Sequence, residues 1–136
     1  MTVRIDHLGI AVKSLAAAQA IYEKLGLSIT PVETVEHEQV RTAMLPLGET
    51  RIELLEPTAE DSVIGRYLAK SGEGVHHIAV HVPDIAAAMA AMQSAGVRLV
   101  HEQVKTGAGG HRYFFVHPAS TGGVLLEVVS SSKEGL

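Results

Sequence analysis

This sequence of 136 residues is poor in side chains on which many protein classes depend. It contains no cysteine and no tryptophan, and only 4% of its residues are aromatic. The absence of cysteine excludes disulfide bonds, thiolate zinc sites and cysteine nucleophiles. The shortage of aromatic rings argues against a surface on which nucleic-acid bases stack.

Positive charge and long apolar runs are also missing. The formal net charge is -4 at pH 7, so we expect no basic surface for nucleic acid. No apolar run approaches the roughly 20 residues that cross a bilayer, and the chain enters a predicted strand at once, without a secretory signal. We therefore expect a cytoplasmic protein that binds neither nucleic acid nor membranes.

What the chain does contain is an internal repeat. The segment Ile-Asp-His-Leu-Gly-Ile-Ala-Val at 5–12 recurs 70 residues later as Val-His-His-Ile-Ala-Val-His-Val at 75–82, and Gly26 recurs as Gly96. Apolar residues make up 46% of the chain, enough for a sizeable core. We predict a single α+β domain of two tandem βαβββ modules, at about 3–57 and 74–130, joined by a linker helix within 58–73.

Local signals place the elements within each module. In the first, a helix is capped by Ser14 and ended by Gly26, and strands are predicted at 4–12, 27–32, 40–47 and 51–55. The polar stretch 33–39 is expected to be a loop or a strand edge. In the second, a helix is capped by Asp84 and ended by Gly96, and strands are predicted at 76–82, 97–102, 111–117 and 124–129. Further predictions are a helix at 61–70 and a glycine-rich loop at 105–110.

Four side chains that commonly bind metals fall at matched positions of the repeat. His7 and His77 each start the first strand of a module, and Glu53 and Glu127 each lie on the last strand. If the first and last strands of each module are neighbours, all four side chains converge on one face of a curved sheet. Two imidazoles and two carboxylates suit a divalent ion such as Co, Zn, Mn, Ni or Fe.

Taken singly, each of these residues has an ordinary structural explanation. A strand glutamate can face solvent, and a histidine can form local hydrogen bonds. Their joint placement in a duplicated unit favours the metal site. His76 must point to the opposite face from His77, so only His77 is a predicted ligand from that strand.

The glycine-rich loop is a second candidate feature. Its glycines expose backbone N–H groups between Lys105 and Arg112, so the loop around Gly110 could hold an anion such as a carboxylate or a phosphate. The alternative is a flexible loop with two solvated cations, and the residues alone leave both open.

Taken together, these segments resemble the vicinal oxygen chelate superfamily, the glyoxalase and bleomycin-resistance fold, and within it the methylmalonyl-CoA epimerases. The opening Asp-His-Leu-Gly-Ile-Ala-Val at 6–12 is typical of the superfamily. More specific are Glu-Leu-Leu-Glu-Pro at 53–57, Gly-Val-His-His-Ile at 74–78 and Gly-Gly-Val-Leu-Leu-Glu at 122–127. Further similarity lies at 47–52, 61–64, 107–112 and 117–118. The resemblance implies two βαβββ modules that form a cupped mixed sheet around a metal.

The resemblance also implies an activity, the interconversion of (R)- and (S)-methylmalonyl-CoA, an acyl-CoA substrate, by removal and return of the α-proton through a metal-stabilised enolate. It implies that His7, Glu53, His77 and Glu127 bind one divalent ion, such as Co, Zn, Mn or Ni. The position of Glu53 is Gln in some members and Glu in others. Glu127 would both hold the metal and move a proton. Because the fold commonly dimerises, we expect a homodimer.

A second acidic group for proton transfer is implied by the same resemblance. Family members carry it in a Glu-Gln-Gly-Val segment, where residues 36–40 of this chain read Glu-His-Glu-Gln-Val, without the glycine. Glu38 is the predicted match, because Gln39 then takes the place of the glutamine. A gap-free alignment would put His37 there instead, and Glu36 is a further candidate.

Alternative functions within the same fold remain open at this point. A glyoxalase-type lyase could share the four ligand types, so only the substrate would separate it. A ring-cleaving dioxygenase would typically offer a single carboxylate with two histidines, and Glu53 counts against it. A metal-free small-molecule-binding protein needs no ligand set, and metal analysis would separate it. A related substrate such as ethylmalonyl-CoA also stays open.

Overall fold

The computed structural model describes residues 3–28, 30–107 and 110–131. The chain divides into two compact units, an N-terminal unit of His7–His76 and a C-terminal unit of Met1–Asp6 with His77–Leu136. Among the described residues, no helix has the length and apolar character needed to cross a membrane.

The elements follow the predicted order of strand, helix and three strands twice. The strands are β1 (Arg4–Ala11), β2 (Glu33–Val35), β3 (Val40–Leu47), β4 (Thr50–Pro57), β5 (Gly74–His81), β6 (Lys105–Thr106), β7 (Arg112–Val116) and β8 (Leu126–Ser130). The helices are α1 (Leu15–Glu23), α2 (Val63–Ser71) and α3 (Ile85–Ser94), and 3-10 turns cover Glu36–Glu38 and Pro118–Ser120. Along the chain, α2 connects the two copies. The α+β class and the double βαβββ order are therefore confirmed.

In the N-terminal unit, the strands lie side by side in the order β2-β3-β4-β1. The first and last strands of the copy, β1 and β4, are parallel neighbours, and the other pairs are antiparallel. One face packs against α1 through Leu15, and its core cluster also contains Val12, Ala43, Leu45 and Leu54. Since side chains alternate along a strand, the other face carries the odd-numbered residues of β1 and β4.

The helix α2 covers part of that other face. Its Ile64 packs in a cluster with Ala11 of β1, Val40 of β3 and Leu55 of β4. The same alternation puts His7 of β1 and Glu53 of β4 on this face. The face that α2 covers at one end therefore carries two of the predicted ligands further along.

The C-terminal unit repeats this arrangement. Its strands lie in the order β5-β8-β7-β6, again with the first and last strands of the copy, β5 and β8, as parallel neighbours. The helix α3 packs Ile85 and Met89 against Phe114, Val116 and Val128 on one face of the strands. The opposite face carries His77 of β5 and Glu127 of β8.

Polar side chains cap the three helices. Ser14 Oγ accepts from the Ala17 N–H at 3.2 Å, and Asp84 Oδ1 accepts from the Ala87 N–H at 3.0 Å, as predicted. Ser62 Oγ likewise accepts from the Gly65 N–H at 3.0 Å at the start of α2. Each bond satisfies one of the N–H groups that a helix leaves unpaired in its first turn.

The prediction of the second strand was wrong in both copies. Residues 27–32 were predicted as a strand, of which residue 29 lies outside the described residues, but β2 lies further on, at Glu33–Val35. Pro31 interrupts the predicted run and has no N–H to give to a ladder. Residues 97–102 form only an isolated bridge between Leu99 and Val116. The polar residues 101–103 follow at once, and the strand of this copy, β6, lies inside the predicted glycine-rich loop at Lys105–Thr106.

The first turn of α2 depends on a glycine. A Cβ added at Gly65 would lie 2.4 Å from the Ala59 carbonyl oxygen and 2.5 Å from that of Glu60. Because these are backbone atoms, they cannot rotate away. We expect Gly65→Ala to lower the free energy of unfolding by roughly 1–3 kcal/mol, the usual cost of overpacking, and to lower the midpoint of thermal unfolding.

Gly74→Ala is the matched control for that experiment. A Cβ at Gly74 would have only the Tyr67 hydroxyl nearby, at 3.8 Å, an ordinary contact. We expect this variant to unfold close to the wild-type temperature. If both variants melted together with the wild type, close packing at Gly65 would not limit the stability of α2.

Candidate functional site

The N-terminal unit contains one of the predicted His–Glu pairs. His7 on β1 and Glu53 on β4 lie on neighbouring parallel strands, and His7 Nε2 is 3.6 Å from Glu53 Oε1. Their side chains are 9% and 17% exposed, so the carboxylate is largely removed from water. A buried carboxylate is costly unless a cation or hydrogen-bond donors compensate its charge.

The C-terminal unit contains the equivalent pair. His77 on β5 and Glu127 on β8 lie on the corresponding parallel strands, and His77 Nε2 is 3.5 Å from Glu127 Oε1. Both side chains are buried, at 8% and 10% exposure. The first and last strands of each copy are therefore neighbours, which was the condition for the predicted site, and each histidine meets the glutamate of its own copy.

A small residue makes room for each pair. Gly9 lies directly opposite Glu53 in the register of β1 and β4, and Ala79 lies directly opposite Glu127 in the register of β5 and β8. Each follows its histidine by two residues and therefore shares its face. With only a hydrogen or a methyl group opposite the carboxylate, the imidazole and the carboxylate can approach along the diagonal.

The donor set is compatible with a divalent metal. The pair distances exceed the roughly 2.7–3.2 Å of a direct hydrogen bond, but two donors 3.5–3.6 Å apart can both bind one ion at about 2.0–2.2 Å. His7 in the N-terminal unit and His77 and Glu127 in the C-terminal unit are each only 7% exposed, and burial of this kind favours a bound cation in place of lost solvation. Imidazole nitrogen with carboxylate oxygen suits several divalent transition metals.

The remaining histidines of β5 have local partners. The His76 ring packs edge-on against Tyr67 with 4.9 Å between ring centroids, on the opposite face from His77, as expected. His81 is buried, and Arg4 Nη1 lies 3.0 Å from its Nδ1. These contacts explain both histidines without a bound ligand.

The predicted anion loop is a short hairpin. Lys105 on β6 is exposed, Arg112 at the start of β7 pairs with Thr106, and Gly110 takes a φ of 79° in the turn. Ala108 and Gly109 lie outside the described residues. The Gly107 N–H donates to the His111 carbonyl at 2.8 Å, and the Gly110 N–H donates to the Gly107 carbonyl at 3.1 Å. These two N–H groups are therefore occupied within the hairpin.

The segment that precedes β3 forms an exposed 3-10 turn. Glu36, His37 and Glu38 are all exposed there, and the Gln39 N–H bonds the Glu36 carbonyl at 3.1 Å. Gln39 takes φ 54° and ψ 48°, the left-handed conformation that glycine adopts most readily. Gln39 thus closes the turn without a glycine. Because the three preceding side chains are all exposed in this turn, each of them stays a candidate for proton transfer.

An aromatic row that was not predicted from the sequence lies beside the C-terminal pair. The rings of His111 and Tyr113 stack with centroids 5.5 Å apart, Tyr113 meets Phe115 at 5.8 Å, and Phe115 meets His77 edge-on at 6.3 Å. A signal was present, since the chain has only three tyrosines and two phenylalanines and Tyr-Phe-Phe at 113–115 holds three of these five.

Comparison with known proteins places this arrangement in a family. Residues 6–115 match the family model of the Glyoxalase/Bleomycin resistance protein/Dioxygenase superfamily. The human mitochondrial methylmalonyl-CoA epimerase is 37% identical over 127 residues, which cover 92% of this chain and 72% of that protein. The ethylmalonyl-CoA/methylmalonyl-CoA epimerase of Cereibacter sphaeroides is 37% identical over 128 residues, which cover 92% of this chain and 96% of that protein.

A solved structure agrees with the sequence relatives. A methylmalonyl-CoA epimerase in complex with methylmalonyl-CoA and NH4+ superposes with a TM-score of 0.87 at 41% identity, over 97% of this chain and 96% of that one. The family match covers most of the chain, and the relatives align along nearly all of it. The chain therefore belongs to the glyoxalase/bleomycin resistance protein/dioxygenase superfamily and, within it, to the family that contains the methylmalonyl-CoA epimerases.

Proposed function

We propose that this protein is an isomerase that interconverts (R)- and (S)-methylmalonyl-CoA. The observation that carries the proposal is the pair of equivalent His–Glu contacts, one completed in each copy of the repeat, in a chain whose relatives are named methylmalonyl-CoA epimerases. The bound acyl-CoA named for a related structure supports the same class of substrate.

One divalent ion would be held by His7, Glu53, His77 and Glu127. Two imidazoles and two carboxylates at matched positions fit such an ion, and Co, Zn, Mn and Ni are the candidates. When bound, the ion supplies Lewis-acid stabilisation of negative charge that develops on the substrate. Burial of the donors keeps this charge interaction strong, because water screens it less.

Proton transfer is assigned to two carboxylates of the chain. The α-carbon of methylmalonyl-CoA lies between a thioester and a carboxylate, so its proton is acidic enough for a side-chain base to remove. Inversion needs a base on one side of this carbon and an acid on the other. We assign Glu127 to one side and Glu38 to the other. In one direction of the reaction one of them would remove the α-proton and the other would donate a proton, and in the reverse direction the roles would be exchanged.

The substrate's anionic groups are assigned to the β6–β7 hairpin. Lys105 is exposed and Arg112 half-buried on its two strands, and Gly110 shapes the turn between them. Because the N–H groups of Gly107 and Gly110 are already bonded, the attraction for a carboxylate or a CoA phosphate would come from the two cationic side chains. A cytoplasmic location and assembly as a homodimer are part of the same proposal.

Exchange of the α-proton tests the function directly. We expect the α-proton signal of (R)- or (S)-methylmalonyl-CoA to disappear in deuterated water when protein and a divalent ion are added, with formation of the other epimer. A chelator should stop the exchange. The glutathione hemithioacetal of methylglyoxal, the substrate of a glyoxalase-type lyase, is the matched comparison and should not react.

Two results would contradict the proposal. Absence of exchange with every one of Co, Zn, Mn and Ni would remove the epimerase function. Exchange without formation of the second epimer would show enolisation without a competent acid on the opposite side. Metal analysis of the purified protein then shows whether the chain is instead a metal-free binding protein.

A further inference from the structure

Strand β7 presents two different apolar surfaces. Phe114 is 1% exposed and packs in the core cluster under α3. Tyr113 and Phe115 point to the opposite face, where both are partly exposed. Three ring residues in succession thus serve two purposes, since Phe114 belongs to the core and its neighbours line the face of the His77–Glu127 pair.

Phe115 is the ring next to the proposed base. In the register of β7 and β8 it lies directly opposite Glu127, and its ring meets His77 edge-on with 6.3 Å between centroids. On the other side of Glu127 lies Ala79, which is fully buried. Of the two direct cross-strand neighbours of Glu127, only Phe115 offers a large apolar surface that is not already covered.

The same place in the N-terminal unit is also large and apolar. Met44 of β3 lies directly opposite Glu53, as Phe115 lies opposite Glu127. A flexible thioether stands in one copy and a flat, rigid ring in the other. Because the ring has few conformations, it sets a fixed boundary beside the carboxylate.

We infer that Phe115 determines how large an α-alkyl group the substrate can carry, and this inference rests on the proposed function. The reacting carbon carries a thioester, a carboxylate, a hydrogen and an alkyl group. If the hydrogen meets Glu127 and the oxygens meet the ion and the cationic side chains, the alkyl group requires an apolar surface beside Glu127. Phe115 provides that surface, and its rigid ring limits the size of the alkyl group.

The test compares two acyl-CoA substrates that differ by one methylene. The ratio of kcat/KM for ethylmalonyl-CoA to that for methylmalonyl-CoA is measured for the wild type, Phe115→Ala and Phe115→Leu. One methylene in an apolar pocket typically changes discrimination by about 10- to 200-fold. We expect Phe115→Ala to raise the ratio by at least about 10-fold, and Phe115→Leu to raise it by less.

Phe114→Leu is the matched control. It removes the same ring from the adjacent residue, but on the core side, so it should lower thermal stability and leave the ratio unchanged. Metal content is measured for every variant. If Phe115→Ala loses metal or does not fold, the milder Phe115→Leu decides the question.

The outcomes separate this inference from the function on which it rests. A Phe115 variant that slows both substrates equally, with no change in ratio, would show that the ring only supports His77 and would overturn the inference alone. A wild type that exchanges the α-proton of neither substrate would overturn the proposed function and this inference with it.

Discussion

Replacement of Glu127 by glutamine is expected to slow α-proton exchange by about 100- to 10,000-fold, even at saturating metal. The amide keeps the shape of the side chain and one oxygen that can bind a metal, but it cannot accept a proton. Glu127 is buried beside His77, with 3.5 Å between His77 Nε2 and Glu127 Oε1. Its burial limits the access of buffer ions that could take over its role as a base. NMR exchange in deuterated water, followed over a range of metal concentrations, measures the effect.

Glu53→Gln is the control that the repeat provides. Glu53 has the same relation to His7 that Glu127 has to His77, at 3.6 Å, but it carries no assigned proton. We expect this variant to bind metal more weakly and to recover most of its exchange rate once metal is saturating. If Glu127→Gln recovered just as fully, Glu127 would be a ligand alone and the base would lie elsewhere.

Glu38→Gln is expected to reduce exchange by at least about 100-fold while the metal content stays at the wild-type level. Glu38 is exposed in the 3-10 turn before β3 and is not one of the proposed ligands, so its loss should leave the ion in place. Exchange measured by NMR, together with metal analysis of the same sample, distinguishes loss of a proton carrier from loss of the ion.

Substitutions of the two residues before Glu38 test how this segment aligns with the family. Glu36→Gln and His37→Gln are made in parallel, since both side chains are exposed in the same turn. If Glu38→Gln stayed active while one of these lost exchange, that residue would be the second proton-transfer group. A loss in the His37 variant alone would support the gap-free alignment, in which Gln39 stands where the family has glycine.

The convergence of histidines and glutamates could be predicted from the sequence because these residues occupy matched positions in the two copies of the repeat. The spacing from His7 to Glu53 recurs, with a few inserted residues, from His77 to Glu127. Parallel neighbours at the first and last strands then follow from the fold class, and the structure shows both registers. Helix caps were predictable for a different reason, because Ser14 and Asp84 act through contacts within three residues.

The second strand of each copy could not be predicted from residue type alone. Residues 27–32 have the composition of a strand, but Pro31 interrupts the ladder and pairing moves to the polar Glu33–Val35. The apolar side chain opposite Glu127 was missed for a different reason. Its residue, Phe115, becomes visible only when the register of β7 and β8 is known, because the repeat places a methionine, Met44, at the equivalent position.

Each His–Glu pair is completed inside its own copy, and this separates the fates of the two copies after duplication. Glu53 and Glu127 are held by different strand pairs, so either carboxylate can be substituted without changing a residue of the other strand pair. Met44 and Phe115 show that the equivalent positions of the two copies already carry different side chains.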